Sequence, residues 1–291
     1  MEFKRILGIV VVAVLLASCS GPKVLTSSKT NAETLSASGN FVGATEAWTQ
    51  FFEQIPIEET AGADFATAAK TAFKSGNIDL ASSWFDQARY KNYSDFEMYQ
   101  TLAEIQHQKK NISKELTALE YIVDNYPDQL NQIDKRLFDV YYEIGLKEQA
   151  LAVWERLNEK SKGELSTLES YFLIQKSLKD TTVCDAVALS ILEKNPQNIE
   201  ALEWMAKKYY WMGENRYQSE LEKYNKNKTT KQYKILLKEL DIATADLKKS
   251  MTYLDKLWKI EKKKEYASYF ASIYGRFGDE KKTNYYKKLM K

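Results

Sequence analysis

GNFVGATEAWTQFFEQIP, residues 39–56, decides the fold. Gly39 opens it. Ala44 comes five residues later, Trp48 nine, Phe51 twelve and Pro56 seventeen. Ala44, Trp48 and Phe51 are four and three apart, so they share one face of a helix. Gly39 suits the left-handed position that ends a helix, which glycine enters without a Cβ penalty. Pro56 cannot continue a helix. The order returns downstream: from Gly76 the same steps reach Ala81, Phe85, Ala88 and Tyr93, and from Gly145 they reach Ala150, Trp154, Leu157 and Lys162. Lys110 and Lys179 stand in for the glycine, with Pro127 and Pro196 seventeen later. Glu115 takes a small-residue slot, and Cys184 with Ala188 gives a thinner version. The anchors Gly39, Gly76, Lys110, Gly145, Lys179 and Gly213 are thus 37, 34, 35, 34 and 34 residues apart.

The segments before the anchors carry their own pattern, seven and four residues upstream: Ala69 and Ala72, Phe138 and Tyr141, Ala206 and Tyr209. A period of ~34 with these slots resembles the tetratricopeptide repeat, TPR. The resemblance implies an all-α fold, a right-handed superhelical array of about seven to eight antiparallel helix pairs. Regular repeats are expected over residues 31–224, and degenerate basic repeats with a cap over 225–291. After Gly213 the match weakens, because Gln218 and Glu222 miss the slots. A further pair can be drawn around Ala245 with Ser250, Leu254 and Leu257, and a last one turns near Gly278. The polar run NKNKTT at residues 225–230 is the expected place for a break.

By the same resemblance, positions six and three before each anchor face a concave, peptide-binding surface. The first column reads Lys70, Glu104, Asp139, Leu173 and Lys207, and the second Phe73, His107, Tyr142, Lys176 and Tyr210. Aromatics flanked by charges would anchor a chain segment and fix its register. The dicarboxylate clamp of chaperone-binding TPR domains is not reproduced. Trp48 and Trp154 occupy packing slots, whereas Trp84, Trp204, Trp211 and Trp258 are less constrained.

The first residues read as a secretory signal. Lys4 and Arg5 precede eleven apolar residues, Ile6 to Leu16, too few for the ~20 that a helix needs to span a bilayer. Leu16-Ala17-Ser18-Cys19 resembles the bacterial lipobox. That implies a signal peptide over 1–18, lipid attachment at Cys19, and a flexible tether over 19–30. Acidic residues are missing just after Cys19, which by resemblance to sorting rules implies the outer membrane, facing the periplasm. Cys184 is then the one remaining thiol, so no internal disulfide is expected, and its helical setting predicts a small buried residue.

Chemistry is sparse. The single histidine, His107, excludes a multi-histidine metal site, and no phosphate-cradling glycine motif occurs. Neither a catalytic residue, a metal nor a cofactor is expected. Charge is more telling: residues 223–291 hold 19 Lys+Arg against 8 Asp+Glu, net +11. With +1 on residues 1–18 and a total of +2, residues 19–222 carry −10. The basic end suits anionic lipid or an acidic partner, and export argues against nucleic acid. The reading is a membrane-anchored scaffold that binds protein partners; by architecture it resembles TPR lipoproteins that serve outer-membrane assembly or recruit envelope proteases or murein hydrolases. The alternative is a nutrient-binding lipoprotein that captures glycan or peptide on exposed tryptophan and tyrosine.

Overall fold

The computed structural model describes residues 22–290, with side chains described from residue 27. The signal segment and Cys19 lie outside the described residues. Among these, regular structure is helical throughout, and the chain divides into two compact units at Ile133/Asp134. The first unit holds three pairs: α1 (Pro22–Ala37) with α2 (Phe41–Gln54), α3 (Gly62–Lys74) with α4 (Ile78–Tyr90), and α5 (Phe96–Gln108) with α6 (Ile112–Asn125). In the second, α7 (Asp134–Glu143) pairs with α8 (Lys147–Arg156) and is followed by the short α9 (Glu159–Lys162). Then α10 (Leu165–Leu178) pairs with α11 (Thr181–Lys194), α12 (Ile199–Lys226) with α13 (Thr230–Ile260), and α14 (Lys264–Arg276) with α15 (Glu280–Leu289).

The turns fall where the sequence repeats. Gly39, Gly76 and Gly145 have φ of 82°, 86° and 80°, and Lys110 and Lys179 adopt the same left-handed region at 55° and 61°. Gly278 joins them at 73°. The residue after the anchor caps the second helix. Asn40, Asn77, Asn111, Asp180 and Asp279 each accept a hydrogen bond from the backbone N–H three residues on, filling one of the orphan donors at the helix start. Leu146 has no capping side chain, and Gly145 turns alone. This anchor-plus-cap dipeptide is a signal the 34-residue pattern alone left out.

Most slots are buried as their roles require, whereas Trp154 is half-buried and stacks on Tyr171 at 3.7 Å. Ala44, Ala81, Ala150, Cys184, Trp48, Phe85 and Ile122 are fully buried. Each large side chain removed from water stabilises by about 1.5–3 kcal/mol. Glu115, 2% exposed in a slot meant for a small residue, lies with its carboxylate 3.4 Å from His107 Nδ1. Cys184 is free and buried, and burial raises its thiol above the ordinary range.

Three expectations need correcting. Residues 22–30, read as tether, belong to α1. Ala32, seven before Gly39, is fully buried, and Lys29 reaches Asp64 of α3 at 2.6 Å, so this helix is the first member of a repeat. Gly213 does not turn: it is buried inside α12. A Cβ there would stand 2.8 Å from Ala243 O and 2.8 Å from Leu247 Cγ, so the glycine permits close approach of α13. Residues 225–230 are not a boundary either. They end α12, make the 227–229 turn and begin α13 inside one hairpin, where polarity serves a solvent-facing turn, and the chain divides at Ile133/Asp134 instead.

The sixth repeat is therefore split. Ala206, seven before Gly213, is buried on α12, and Ser250, Leu254 and Leu257, at five, nine and twelve after Ala245, are buried on α13. The first helix keeps its register to Gly213 and the second resumes it from Ala245. The 32-residue step between them is an extension of the hairpin. Counting from Ala245, Gly278 follows 33 residues later, so the period continues.

Candidate functional site

In the second unit a groove of about 510 Å³ opens where the turn between α10 and α11 faces α12. Lys176, Thr181 and Asp185 form one side, and Glu203, Trp204, Lys207, Lys208, Trp211 and Met212 the other. The steps along α12 set the second side: 204, 207, 208 and 211 are three or four apart and share a face.

Trp204 is fixed from both ends. Its ring meets Phe172 edge-on at 5.8 Å, and its Nε1–H donates to Asp185 Oδ1 at 2.8 Å. Lys208 holds the other Asp185 oxygen at 2.7 Å. Trp211 and Met212 are 52% and 41% exposed. Beneath Trp211 lies Tyr210, buried, with ring centroids 5.1 Å apart and its hydroxyl 2.8 Å from Ser272 Oγ on α14. The groove thus has a rigid aromatic wall and an open apolar lip.

Lys176 and Lys207 are each linked to the first helix of the following pair, α12 and α14. Lys176 Nζ lies 2.5 Å from Glu200, and Lys207 Nζ lies 3.0 Å from Glu265 and 3.7 Å from Glu203. Burial pulls the Lys207 ammonium down, but its bond to Glu265 and the Glu203 charge outweigh that, leaving it above its ordinary value. Burial pushes Glu203 up, yet the hydrogen bond from Tyr266 and the charges of Lys207 and Lys263 hold it net below the usual carboxylate range. Chemically, the site offers a slot for an apolar side chain beside ammonium groups that meet carboxylates.

Of the residues expected on the concave face, Lys176 and Lys207 line this groove and Tyr210 supports it. Leu173 is exposed on α10, Asp139 is bound by Lys135 at 2.6 Å within α7, and Tyr142 is half-buried on the same helix. In the first unit Lys70 is taken up by Asp95 and Glu97 at 3.5 and 2.8 Å, Phe73 is half-buried, and Glu104 and His107 are exposed. That unit's own cavity is lined instead by Arg89, Tyr99, Lys109 and Lys114, outside both columns. Trp211 and Met212, both exposed in the groove, lie outside both columns. In the sequence Trp211 stands apart only as a tryptophan outside the packing slots, and Met212 carries no signal of its own. Trp84 is buried, and Trp258 packs on Phe270 and Tyr286.

Among the described residues no group of three His, Cys, Asp or Glu side chains could hold a metal, and no helix is long and apolar enough to cross a membrane.

No protein-family model and no curated protein matches the chain. Solved structures do. The C-terminal part of a TPR repeat-containing protein from Cytophaga hutchinsonii is 14% identical, covering 90% of this chain and 93% of that one at a TM-score of 0.46. YrrB, described as a TPR protein with an unusual peptide-binding site, is 14% identical over 62% of this chain and 90% of its own, TM-score 0.49. A tetratricopeptide repeat protein from Parabacteroides merdae is 10% identical over 91% and 97%, TM-score 0.46. The assignment of helix pairs rests on this chain's own turns and slots.

Proposed function

We propose that the chain is a scaffold that holds protein partners of the bacterial envelope through the Trp211 groove. Cys19 attaches it by lipid to the outer membrane on the periplasmic side, where it serves assembly machinery or recruits envelope proteases or murein hydrolases. Its work is binding, not turnover. One observation carries this reading: Trp211 and Met212 are left open to solvent beside Lys176, Lys207 and Lys208 on a well-packed helix face. An aromatic anchor with a charged rim is the usual make-up of a binding hot spot. The internal pairs of those lysines do not close the site. Exposed ion pairs contribute about 0–1 kcal/mol, so a partner carboxylate can replace Glu200 or Glu265 at little cost. Confinement by a lipid anchor would raise the effective concentration of partners, so a modest groove suffices.

A photo-crosslinking amino acid in place of Met212 tests this in cells. Defined adducts that disappear when Trp211→Ala is added, with helicity retained, support it. The same adducts with and without Trp211 would remove the groove from the reading. The half-exposed Trp211 ring also favours a second reading, capture of a glycan by stacking. Titration with oligosaccharides that shifts tryptophan fluorescence in wild type but not in Trp211→Ala would select it.

A further inference from the structure

The extension of the sixth hairpin is surplus to the repeat and has its own chemistry. Beyond Gly213, α12 and α13 run on as an antiparallel pair, held by Arg216 on Glu239 at 2.6 Å and by Tyr224 against Tyr233 at 5.7 Å. Its base is fastened by Arg276 of α14, which binds Glu214 and lies over the Tyr217 ring at 4.3 Å. At its tip, residues 223–238 contain six lysines and no aspartate or glutamate. Lys223 and Lys226 fold back onto Glu220 and Glu222, each at 2.5 Å. Among the described residues, Lys228, Lys231, Lys234 and Lys238 pair with no carboxylate. Lys231, Lys234 and Lys238 follow at three- and four-residue steps along α13, opposite the buried Leu236 and Ala243. Beside this stripe Tyr233, Ile235 and Leu237 are 46%, 40% and 46% exposed.

Like charges this close repel one another unless a counter-surface neutralises them. A protein surface would need carboxylates fixed to match the spacing of these lysines. Anionic headgroups are mobile and adapt to any spacing, with each lysine near such a surface contributing comparably. Tyrosine and aliphatic side chains among lysines are also what the bilayer interface accepts.

We propose that the tip of the α12–α13 hairpin, centred on Lys228, Lys231 and Lys234, docks on an anionic lipid surface. The contact adds to the anchoring proposed above but depends neither on it nor on the groove's partner. In an anchored chain it would orient the second unit relative to the membrane.

The test uses the full chain with a fluorescent non-natural amino acid in place of Thr230, in vesicles carrying a headgroup acceptor dye. Energy transfer should be greater with about 30% phosphatidylglycerol in phosphatidylcholine than with phosphatidylcholine alone, and high salt should abolish the excess. Each of Lys228→Gln, Lys231→Gln and Lys234→Gln should weaken docking about fivefold, and the triple variant should reach background with unchanged helicity. Equal transfer on both vesicles, or a triple variant that docks like wild type, overturns the proposal. So does shielding of position 230 by polyglutamate but not by phosphatidylglycerol vesicles, which would assign the tip to an acidic protein. Crosslinking at Met212 reads the groove separately, so either idea can fail alone.

Discussion

Ser250 donates a 2.8 Å hydrogen bond to the carbonyl of Ala206, forty-four residues away, and both are buried. Ala206 holds the slot seven before Gly213, and Ser250 the slot five after Ala245. Two half-repeats that look unrelated in sequence therefore close one helix pair. The backbones approach at this point as closely as a small residue allows, and what lies between Gly213 and Ala245 leads out of the array and back.

Removing residues 214–245 should consequently leave a folded protein. The deletion joins Gly213 to Asp246 and recreates the turn-and-cap dipeptide seen at Gly278–Asp279, with Ser250 five residues on as in the regular repeats. In the intact chain Asp246 is buried within α13, its carboxylate 4.0 Å from Arg216 and lacking a hydrogen-bond partner at Oδ2. As a cap it would recover one, worth about 1 kcal/mol. Circular dichroism should show lower helix content with a cooperative melt retained. A molten product would mean that the hairpin is part of the core.

Gly213 and Gly39 should fail for different reasons. Gly213→Val sets a branched side chain against Ala243 and Leu247, an overpacking that costs about 1–3 kcal/mol. Gly39→Ala meets nothing within 4 Å, and its cost, about 1 kcal/mol, comes from φ of 82°. Denaturant titration separates them: further enlargement at position 39 should add little, whereas at 213 the loss should grow with side-chain volume.

Most of the fold could be read from spacing because each slot has a steric reason. A left-handed turn, a close helix approach and an aromatic plug each restrict residue type, so Gly39, Ala44 and Trp48 announce themselves. The split repeat could not be read this way, since a helical Gly213 and a turning one look alike in sequence and only the contact with Ala243 separates them. The groove was half legible. Lys176 and Lys207 lay in the expected columns, but so did Lys70 and Asp139, and all four meet neighbouring charges. Which lysine faces an open slot depends on where the exposed Trp211 and Met212 fall, and no periodic rule fixes that.

Lys110 and Lys179 carry strain that glycine would relieve. At φ of 55° and 61° a Cβ costs about 1–2 kcal/mol, part of which glycine returns through the greater freedom of its unfolded chain. Lys110→Gly and Lys179→Gly should each stabilise by about 0.5–1 kcal/mol, raising the melting temperature, and should add when combined because they belong to different pairs. A loss of stability at either would show that the lysine side chain contributes more than its backbone costs.

Tyr266 should make the second unit sensitive to alkali. Burial, and then its 2.5 Å hydrogen bond to Glu203, push the phenol from 10.0 to about 12. The native state thus holds the proton more tightly than the unfolded chain. The associated stability is fully present below pH 10 and is lost as the pH rises towards 12, by roughly 3 kcal/mol for a two-unit shift at a side chain only 1% exposed. Lysines also titrate in this range, so the comparison must be with Tyr266→Phe. That variant should be less stable than wild type at neutral pH, since Glu203 loses a donor, and the gap should narrow as the pH climbs. Tyr93, raised to about 12 chiefly by its bond to Asp95, should show the same narrowing in Tyr93→Phe. Parallel stability curves for wild type and Tyr266→Phe from pH 9 to 12 would show that the phenol is not held as the geometry requires.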